Sequence, residues 1–207
     1  MYSVIQSPTN IFGLKYRPSI APMYSDDADS IAEFHKPLPR HLSTLNELVI
    51  IECATGAKSI LEIGVHAHWT DDDPSSTQLI IKYRHAEAIY IGIDIVFKDL
   101  SYMGDDIYCL QANSGEIEKV EDLMKLLSIK TFDFIFIDGW HSVNQVLLDW
   151  RYAKYLDPKG VIAMHDTNSH PGPVTLFDAV DETLFDKIKY VGTGPDYGIS
   201  TFRFKSV

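Results

Sequence analysis

Short, almost continuously apolar segments alternate with helix-like segments along this chain, and that alternation most constrains its fold. The segments that read as strands are residues 59–63, 89–94, 107–111, 132–138 and 160–165. The segments between them carry helical spacing, as at Val143, Val146, Leu147 and Trp150. Apolar strands that alternate with helices predict an α/β fold in which helices cover both faces of a parallel sheet.

The two ends of the chain depart from this alternation. Residues 187–191 and 199–204 read as consecutive strands joined by a Gly/Pro-rich turn, which predicts a hairpin and one antiparallel strand. Residues 1–40 contain several prolines and have no clear period. We interpret residues 1–40 as an irregular segment that could be a lid or an arm, and 41–207 as the folded domain.

Charge and hydropathy restrict the partners. The formal net charge of −11 argues against nucleic acid, because phosphates demand a basic surface. No apolar run approaches the roughly 18 residues of a membrane span, and the N-terminus shows no secretory signal. We therefore expect a cytoplasmic protein with no nucleic-acid or membrane partner and with a small-molecule substrate. A homo-oligomer is possible.

Two of the apolar strands end in similar chemistry. Asp138 follows one strand and His141 comes three residues later, while His165 and Asp166 end the next strand. Open α/β folds bind ligands at this carboxyl edge. Two converging carboxylates repel unless they are protonated or bridged by a cation. Oxygen donors favour Mg²⁺, and His141 is placed to act as a general base.

Simpler interpretations exist for these residues. Asp138 could cap the helix that begins near Ser142, and His141 or His165 could be structural. Five of the eight histidines fall on predicted strand-end loops, which could indicate Zn²⁺. The sequence has no H-x-x-x-H or C-x-x-C spacing to support a zinc site.

The loop after the first strand predicts a nucleotide or nucleoside site. Gly64 would let the backbone approach a ligand closely. Asp94 closes the second strand, where a carboxylate is suited to hydrogen-bond both ribose hydroxyls. Glu62 lies in the same first strand, two residues before Gly64.

Five motifs in order resemble class I S-adenosylmethionine-dependent methyltransferases. They are Leu-Glu-Ile-Gly at 61–64, Gly-Ile-Asp at 92–94, Gln-Ala-Asn-Ser at 111–114, Phe-Asp-Phe-Ile-Phe-Ile-Asp-Gly at 132–139 and Pro-Lys-Gly-Val-Ile-Ala at 158–163. The resemblance covers residues 42–204. It implies a Rossmann-like, seven-stranded, mostly parallel sheet with an antiparallel last strand.

The resemblance also implies cofactor-binding roles. Glu62, Gly64 and Val65 would lie at the methionine end of S-adenosylmethionine. Asp94 and its neighbour Ile95 would hold the ribose, and Asn113 and Ser114 would flank the adenine. Asp138 would border the cofactor as well. The hydroxyl for the cofactor carboxylate would come from Thr70 or from Ser75 or Ser76, the two candidate N-caps of the helix expected from Thr77.

The D-x-x-H spacing of Asp138 and His141 narrows the resemblance to metal-dependent O-methyltransferases. Catechol-type enzymes carry a lysine at the position of His141, whereas the macrolide-sugar and cephalosporin-hydroxylase-like groups carry a histidine. This resemblance implies Mg²⁺ held by Asp138, Asp166 and a third ligand. Thr167 stands at the third position, with His165 and Asn168 as alternatives.

The first loop differs from the family. Further glycines are usual after the first one, but this chain has His66 and His68 there. Residues 69–74 then look like an insertion before the next helix. The leading hypothesis is a Mg²⁺-dependent O-methyltransferase acting on a sugar or phenol hydroxyl, with Asp138 and His141 as catalytic residues. The alternatives are a metal-independent methyltransferase and a catalytically silent cofactor-binding domain.

Overall fold

The protein folds around one seven-stranded sheet with helices on both faces. The computed structural model describes residues 11–16, 18, 42–66, 74–192 and 196–206. The strands are β1 Ser59–Ile63, β2 Ile89–Asp94, β3 Ile107–Gln111, β4 Phe132–Ile137, β5 Leu156–His165, β6 Phe185–Tyr190 and β7 Ile199–Phe204. The α-helices are α1 Thr44–Ala54, α2 Ser76–Tyr83, α3 Ile117–Leu126, α4 Val143–Asp149 and α5 Pro171–Ala179. Two 3₁₀ helices span Ser101–Met103 and Trp150–Tyr155.

The strand order is β3-β2-β1-β4-β5-β7-β6, and β7 runs in the direction opposite to the other six strands. This order confirms the predicted α/β sheet with an antiparallel last strand. β6 begins at Phe185 rather than at residue 187, because the buried Phe185 already pairs with Phe204. β5 begins at Leu156, which pairs with Phe132 before a shift in register.

Two apolar clusters fill the space on the two faces of the sheet. One contains residues of α3, α4 and α5, such as Val120, Val146 and Leu176. The other contains residues of α1 and α2, such as Ile50 and Ile80. Burial of strand side chains on both faces explains why the strands read as continuous apolar runs rather than as alternating ones.

Serine side chains start the helices that border the sheet's carboxyl edge. Ser43, Ser75 and Ser142 each accept a hydrogen bond from a backbone N–H in the first turn of α1, α2 and α4. Such caps satisfy N–H groups that have no partner inside the helix. Ser142 therefore fixes where the loop after β4 ends, directly behind His141.

The described part of the N-terminal segment packs against the far edge of the sheet. The Trp150 ring N–H donates to the Phe12 carbonyl, and Leu14 forms a bridge with Val180. The division of the chain at residue 40 stays a prediction. Among the described residues, every helix is too short or too polar to cross a lipid bilayer.

Candidate active site

The register of the sheet brings the ends of β2, β1, β4 and β5 to one level. Ile63 pairs with Ile93 on one side and with Ile137 on the other, and Ile137 pairs with Met164. The residues that directly follow these four paired residues therefore lie in one row across the carboxyl edge. That row contains Asp94, Gly64, Asp138 and His165, so the predicted site residues are neighbours in space.

Gly64 is required by its surroundings as well as by its backbone. Its φ is +85°, in the left-handed region, and an added Cβ would lie 2.1 Å from the Asp138 carbonyl oxygen. The Gly64 N–H donates to Ile93, and the Asp138 N–H donates to Ile63. The glycine thus allows the ends of β1 and β4 to touch, which brings the loop after β1 next to Asp138.

A cavity of about 660 Å³ lies over this row of strand ends. Its lining residues are Ile63, Gly64, Val65, His66, Ile93, Asp94, Ile95, Val96, Lys98, Ala112, Asn113, Ser114, Asp138, Gly139, Trp140, His141 and Gln145. The cavity therefore includes eight residues that the sequence singled out as cofactor-binding or catalytic. Its volume is within the usual range for small-molecule sites.

Backbone N–H groups on both sides hold the Asp94 carboxylate. The Val65 N–H donates to Oδ2 at 3.0 Å, and the Val96 N–H donates to Oδ1 at 2.8 Å. Each carboxylate oxygen retains a further lone pair that can accept a hydrogen bond. A fixed carboxylate on the cavity wall is what recognition of two ribose hydroxyls needs.

The wall beyond Asp94 contains a buried polar network that sequence reasoning missed. Asp149 is fully buried, and its Oδ1 accepts hydrogen bonds from Ser114 and from the Gln145 amide at 3.0 Å. Gln145 also donates to the Ser114 hydroxyl at 2.6 Å. Burial raises the pKa of Asp149 from 3.8 to about 6, although these hydrogen bonds oppose the shift.

This network fixes the orientation of Gln145. An ionised carboxylate only accepts hydrogen bonds, so the amide nitrogen must face Asp149 and the amide oxygen is turned away from it. Gln145 lines the cavity. One signal in the sequence was available: Asp149 ends α4, where a negative charge is unfavourable unless it has partners.

Glu62 and Ser76 lie behind the cavity wall rather than on it. Glu62 is fully buried, and its carboxylate accepts hydrogen bonds from Ser76 at 2.7 Å, from Thr77 at 3.1 Å and from Tyr90. Burial raises the pKa of Glu62 to about 7. Thr77 also accepts from the His66 N–H. The contacts of Glu62 therefore join β1, β2 and α2, and its predicted contact with the cofactor stays a prediction.

The structure brings Asp138 and Asp166 together and surrounds them with imidazoles. His165 Nδ1 lies 3.3 Å from Asp138 Oδ1 and 3.2 Å from Asp166 Oδ2. His141 Nε2 lies 2.7 Å from Asp166 Oδ2, and His170 Nδ1 lies 3.3 Å from Asp166 Oδ1. We call these five residues the Asp/His cluster.

Packing of the surrounding loops positions the Asp/His cluster. The Gly172 N–H donates to the His141 carbonyl, and a Cβ on Gly172 would lie 2.3 Å from that oxygen. The His141 and His170 rings pack with centroids 4.2 Å apart. Asp166 has a φ of +62°, which is uncommon for a residue other than glycine. Strained backbone of this kind concentrates at functional sites.

The opposite charges in the cluster stabilise one another. Burial lowers the pKa of His141, but Asp166 and Asp138 outweigh that effect and raise it to about 10. Burial opposes ionisation of Asp166, yet His165 and His141 hold the pKa of its carboxyl well below the usual range. In this state His141 is a cation at neutral pH, and a base must first lose that proton.

Other predicted residues have different surroundings. The Thr167 hydroxyl accepts a hydrogen bond from Ser200 at 2.8 Å in β7, and its role as a metal ligand stays a prediction. Asn168 packs its side chain against Gly198. His66 lines the cavity. His68, Thr70 and residues 71–73 lie outside the described residues.

Comparisons with known proteins bear on the fold. No protein-family model matches the sequence, and no curated protein matches it. TomG, an O-methyltransferase from Streptomyces achromogenes solved with S-adenosylmethionine, is 16% identical with a TM-score of 0.53, covering 86% of this chain and 89% of TomG. This protein has the fold of S-adenosylmethionine-dependent methyltransferases.

A second solved structure shares that fold. MycE, a methyltransferase of the mycinamycin biosynthetic pathway solved with Mg, S-adenosylhomocysteine and mycinamycin VI, is 14% identical with a TM-score of 0.55. The match covers 84% of this chain but 52% of MycE, so the chain spans about half of MycE's length. At these identities the likeness concerns the fold, and the chemistry must be argued from the site.

Proposed function

We propose that this protein is an S-adenosylmethionine-dependent O-methyltransferase that acts on a hydroxyl of a small molecule, of the sugar or phenol class. We further propose that a divalent cation assists it, with Mg²⁺ as the ion that the sequence predicts. The observation that carries the proposal is that Asp94, Asp138 and His141 line one cavity. A carboxylate suited to ribose and an acid–base group therefore face the same bound molecules.

The cavity residues fit the cofactor along its length. Asp94 would accept hydrogen bonds from the ribose, and the backbone beside Gly64 would lie along the methionine portion. The Gln145 amide oxygen would face the exocyclic amine of the adenine. S-adenosylmethionine, when bound, supplies an electrophilic methyl group.

The Asp/His cluster fits the acceptor and a cation. Asp138 and Asp166 would hold the cation with oxygen donors. A divalent cation, when bound, lowers the pKa of a neighbouring hydroxyl and opposes protonation of His141. His141 would then take the proton of the acceptor hydroxyl through Nε2, and Asp166 would stabilise the resulting imidazolium. Holding the two reactants in line accounts for most of the rate.

Two measurements test the proposal. Calorimetry with S-adenosylhomocysteine tests the cofactor site, and absence of binding with or without divalent cation would favour a catalytically silent domain. Transfer of a labelled methyl group to a panel of sugars and phenols tests the reaction. We expect transfer to be lost with EDTA and restored by a divalent cation.

A metal-independent methyltransferase is the second candidate. The favouring observation is that ring nitrogens of His141, His165 and His170 lie 2.7, 3.2 and 3.3 Å from the Asp166 carboxylate oxygens. Methyl transfer that continues unchanged in EDTA would select this candidate over the first.

A further inference from the structure

We propose that the Asp/His cluster binds a transition-metal ion through imidazole nitrogen as well as carboxylate oxygen, and that it therefore prefers ions such as Co²⁺ or Zn²⁺ over Mg²⁺. This inference rests on the proposed function for its metal site and revises the identity of the ion. The lack of H-x-x-x-H or C-x-x-C spacing in the sequence does not exclude such a metal. The nitrogen donors come from the loop after β4, the end of β5 and the start of α5, which only the tertiary structure brings together.

The donor types argue against an ion that prefers oxygen. His165 offers a fully buried Nδ1 between Asp138 and Asp166. Mg²⁺ demands oxygen ligands in near-octahedral geometry and retains several waters. Imidazole suits zinc, iron, nickel and copper instead. A site in which nitrogen atoms border both carboxylates is therefore mismatched to Mg²⁺.

The distances match the ligand spacing around a first-row ion. The two contacts of His165 Nδ1 with the carboxylates are 3.3 Å and 3.2 Å. Metal–ligand bonds of about 2.0–2.2 Å place adjacent ligands about 2.8–3.1 Å apart in octahedral geometry and about 3.3–3.6 Å apart in tetrahedral geometry. His165 Nδ1 thus already stands at ligand spacing from each carboxylate, and ligand atoms of Asp138, His165 and Asp166 all lie within 4.8 Å of one another.

Two buried atoms of the cluster are also left without hydrogen bonds. His141 Nε2 and Asp166 Oδ2 are 2.7 Å apart, yet neither makes a hydrogen bond of acceptable geometry within the described part of the chain. Buried polar atoms are nearly always satisfied. An ion bound at Asp166 would satisfy Oδ2, and the acceptor hydroxyl would satisfy His141 Nε2.

The far side of the His165 ring is held in place. His165 Nε2 lies 3.0 Å from the Asn46 amide nitrogen, and that nitrogen also donates to Asp196 at 3.0 Å. A histidine that binds a metal through Nδ1 carries its proton on Nε2 and donates it to an acceptor, so in the metal-bound state the Asn46 amide would present its oxygen to Nε2. Asn46, buried in α1, thus turns Nδ1 towards the two carboxylates.

Binding of Co²⁺ and of Mg²⁺ to the chelator-treated protein tests the inference, by calorimetry and by the visible absorption of bound Co²⁺. His165→Asn replaces Nδ1 of the residue between the carboxylates by a neutral oxygen, and His170→Asn does the same for the Nδ1 that lies 3.3 Å from Asp166. His85→Asn is the matched control, because His85 lies beyond the end of α2 and its Nδ1 contacts the Glu87 N–H. Circular dichroism shows whether each variant folds. If one does not, the affinities of the other variant for Co²⁺ and Mg²⁺ test the inference.

We expect the wild type and His85→Asn to bind Co²⁺ at least about tenfold more tightly than Mg²⁺. In His165→Asn and His170→Asn this ratio should fall about tenfold or more, with a changed Co²⁺ spectrum. The inference is overturned if the wild type binds no Co²⁺, or if the ratio and the spectrum are unchanged in the variants that fold. This experiment contains neither cofactor nor acceptor, so it tests the metal inference alone. Failure of the proposed function would instead appear as loss of S-adenosylhomocysteine binding or of methyl transfer.

Discussion

Gly64 is a glycine for two reasons, its positive φ and its close contact with the Asp138 backbone, and comparing Gly64→Ala with Gly56→Ala should separate them. Gly64 and Gly56 have nearly the same positive φ, +85° and +80°. Their surroundings differ: a Cβ on Gly64 would lie 2.1 Å from the Asp138 carbonyl oxygen, whereas a Cβ on Gly56 has nothing within 4 Å. Gly56→Ala therefore measures the backbone strain alone, and Gly64→Ala measures the strain together with the clash.

The magnitudes follow from these contacts. A non-glycine residue in the left-handed region costs about 1–2 kcal/mol, which is the full effect expected for Gly56→Ala. The clash at Gly64 is with backbone, which cannot rotate away, so the ends of β1 and β4 must separate by about 1 Å. Overpacking of this kind adds about 1–3 kcal/mol or more. We expect Gly64→Ala to reduce the free energy of unfolding by about 2–5 kcal/mol.

Urea unfolding of the two variants and the wild type measures the difference. Gly64→Ala should also weaken S-adenosylhomocysteine binding, because the Val65 N–H that holds Asp94 follows directly. Gly56→Ala should leave that affinity unchanged. Equal losses of unfolding free energy in the two variants would refute the argument that contact between β1 and β4 requires a glycine.

Three further predictions concern single side chains. Because burial raises the pKa of Glu62 from 4.5 to about 7, the folded state keeps a proton that the unfolded chain loses, and the free energy of unfolding falls as pH rises across that range. In urea titrations the wild type should lose up to about 1.4 kcal/mol of unfolding free energy per pH unit in this range, and Glu62→Gln should not. The same pH dependence in both proteins would contradict the prediction. Asp94→Asn should weaken S-adenosylhomocysteine binding about 10–100-fold in calorimetry, since hydrogen bonds to a charged group are lost, and unchanged affinity would remove its ribose role. His141→Ala should cut methyl transfer about 10²–10⁴-fold while cofactor affinity stays within about twofold, and full activity would exclude it as the base.

Much of the fold could be read from the sequence because its signals are local. The bounds of β1, β2, β3 and β7 agree with the apolar segments, since burial on both faces makes each strand a continuous apolar run. Ser75 and Ser76 were likewise the two candidate caps of α2, and Ser75 is the cap; the candidates could be found because capping depends on residues within one turn. The hairpin of β6 and β7 followed from two strands without a helix between them.

The site was only partly predictable. Residues that end or follow parallel strands lie at the carboxyl edge of the sheet, so Asp94 and Asp138 could be assigned to it from their positions in the sequence alone. The network of Ser114, Gln145 and Asp149 could not be assigned, because it joins the loop after β3 to α4 across the packed face of the sheet.

By itself, then, the sequence determined a parallel α/β sheet with an antiparallel last strand and carboxylates at its carboxyl edge. The tertiary structure alone decided that Glu62 turns into the interior, that Gly64 touches Asp138, and that His141, His165 and His170 converge on Asp166. The physical reason is that strand periodicity specifies the face on which a side chain lies. Convergence of side chains from separate loops depends instead on sheet register and on how those loops pack.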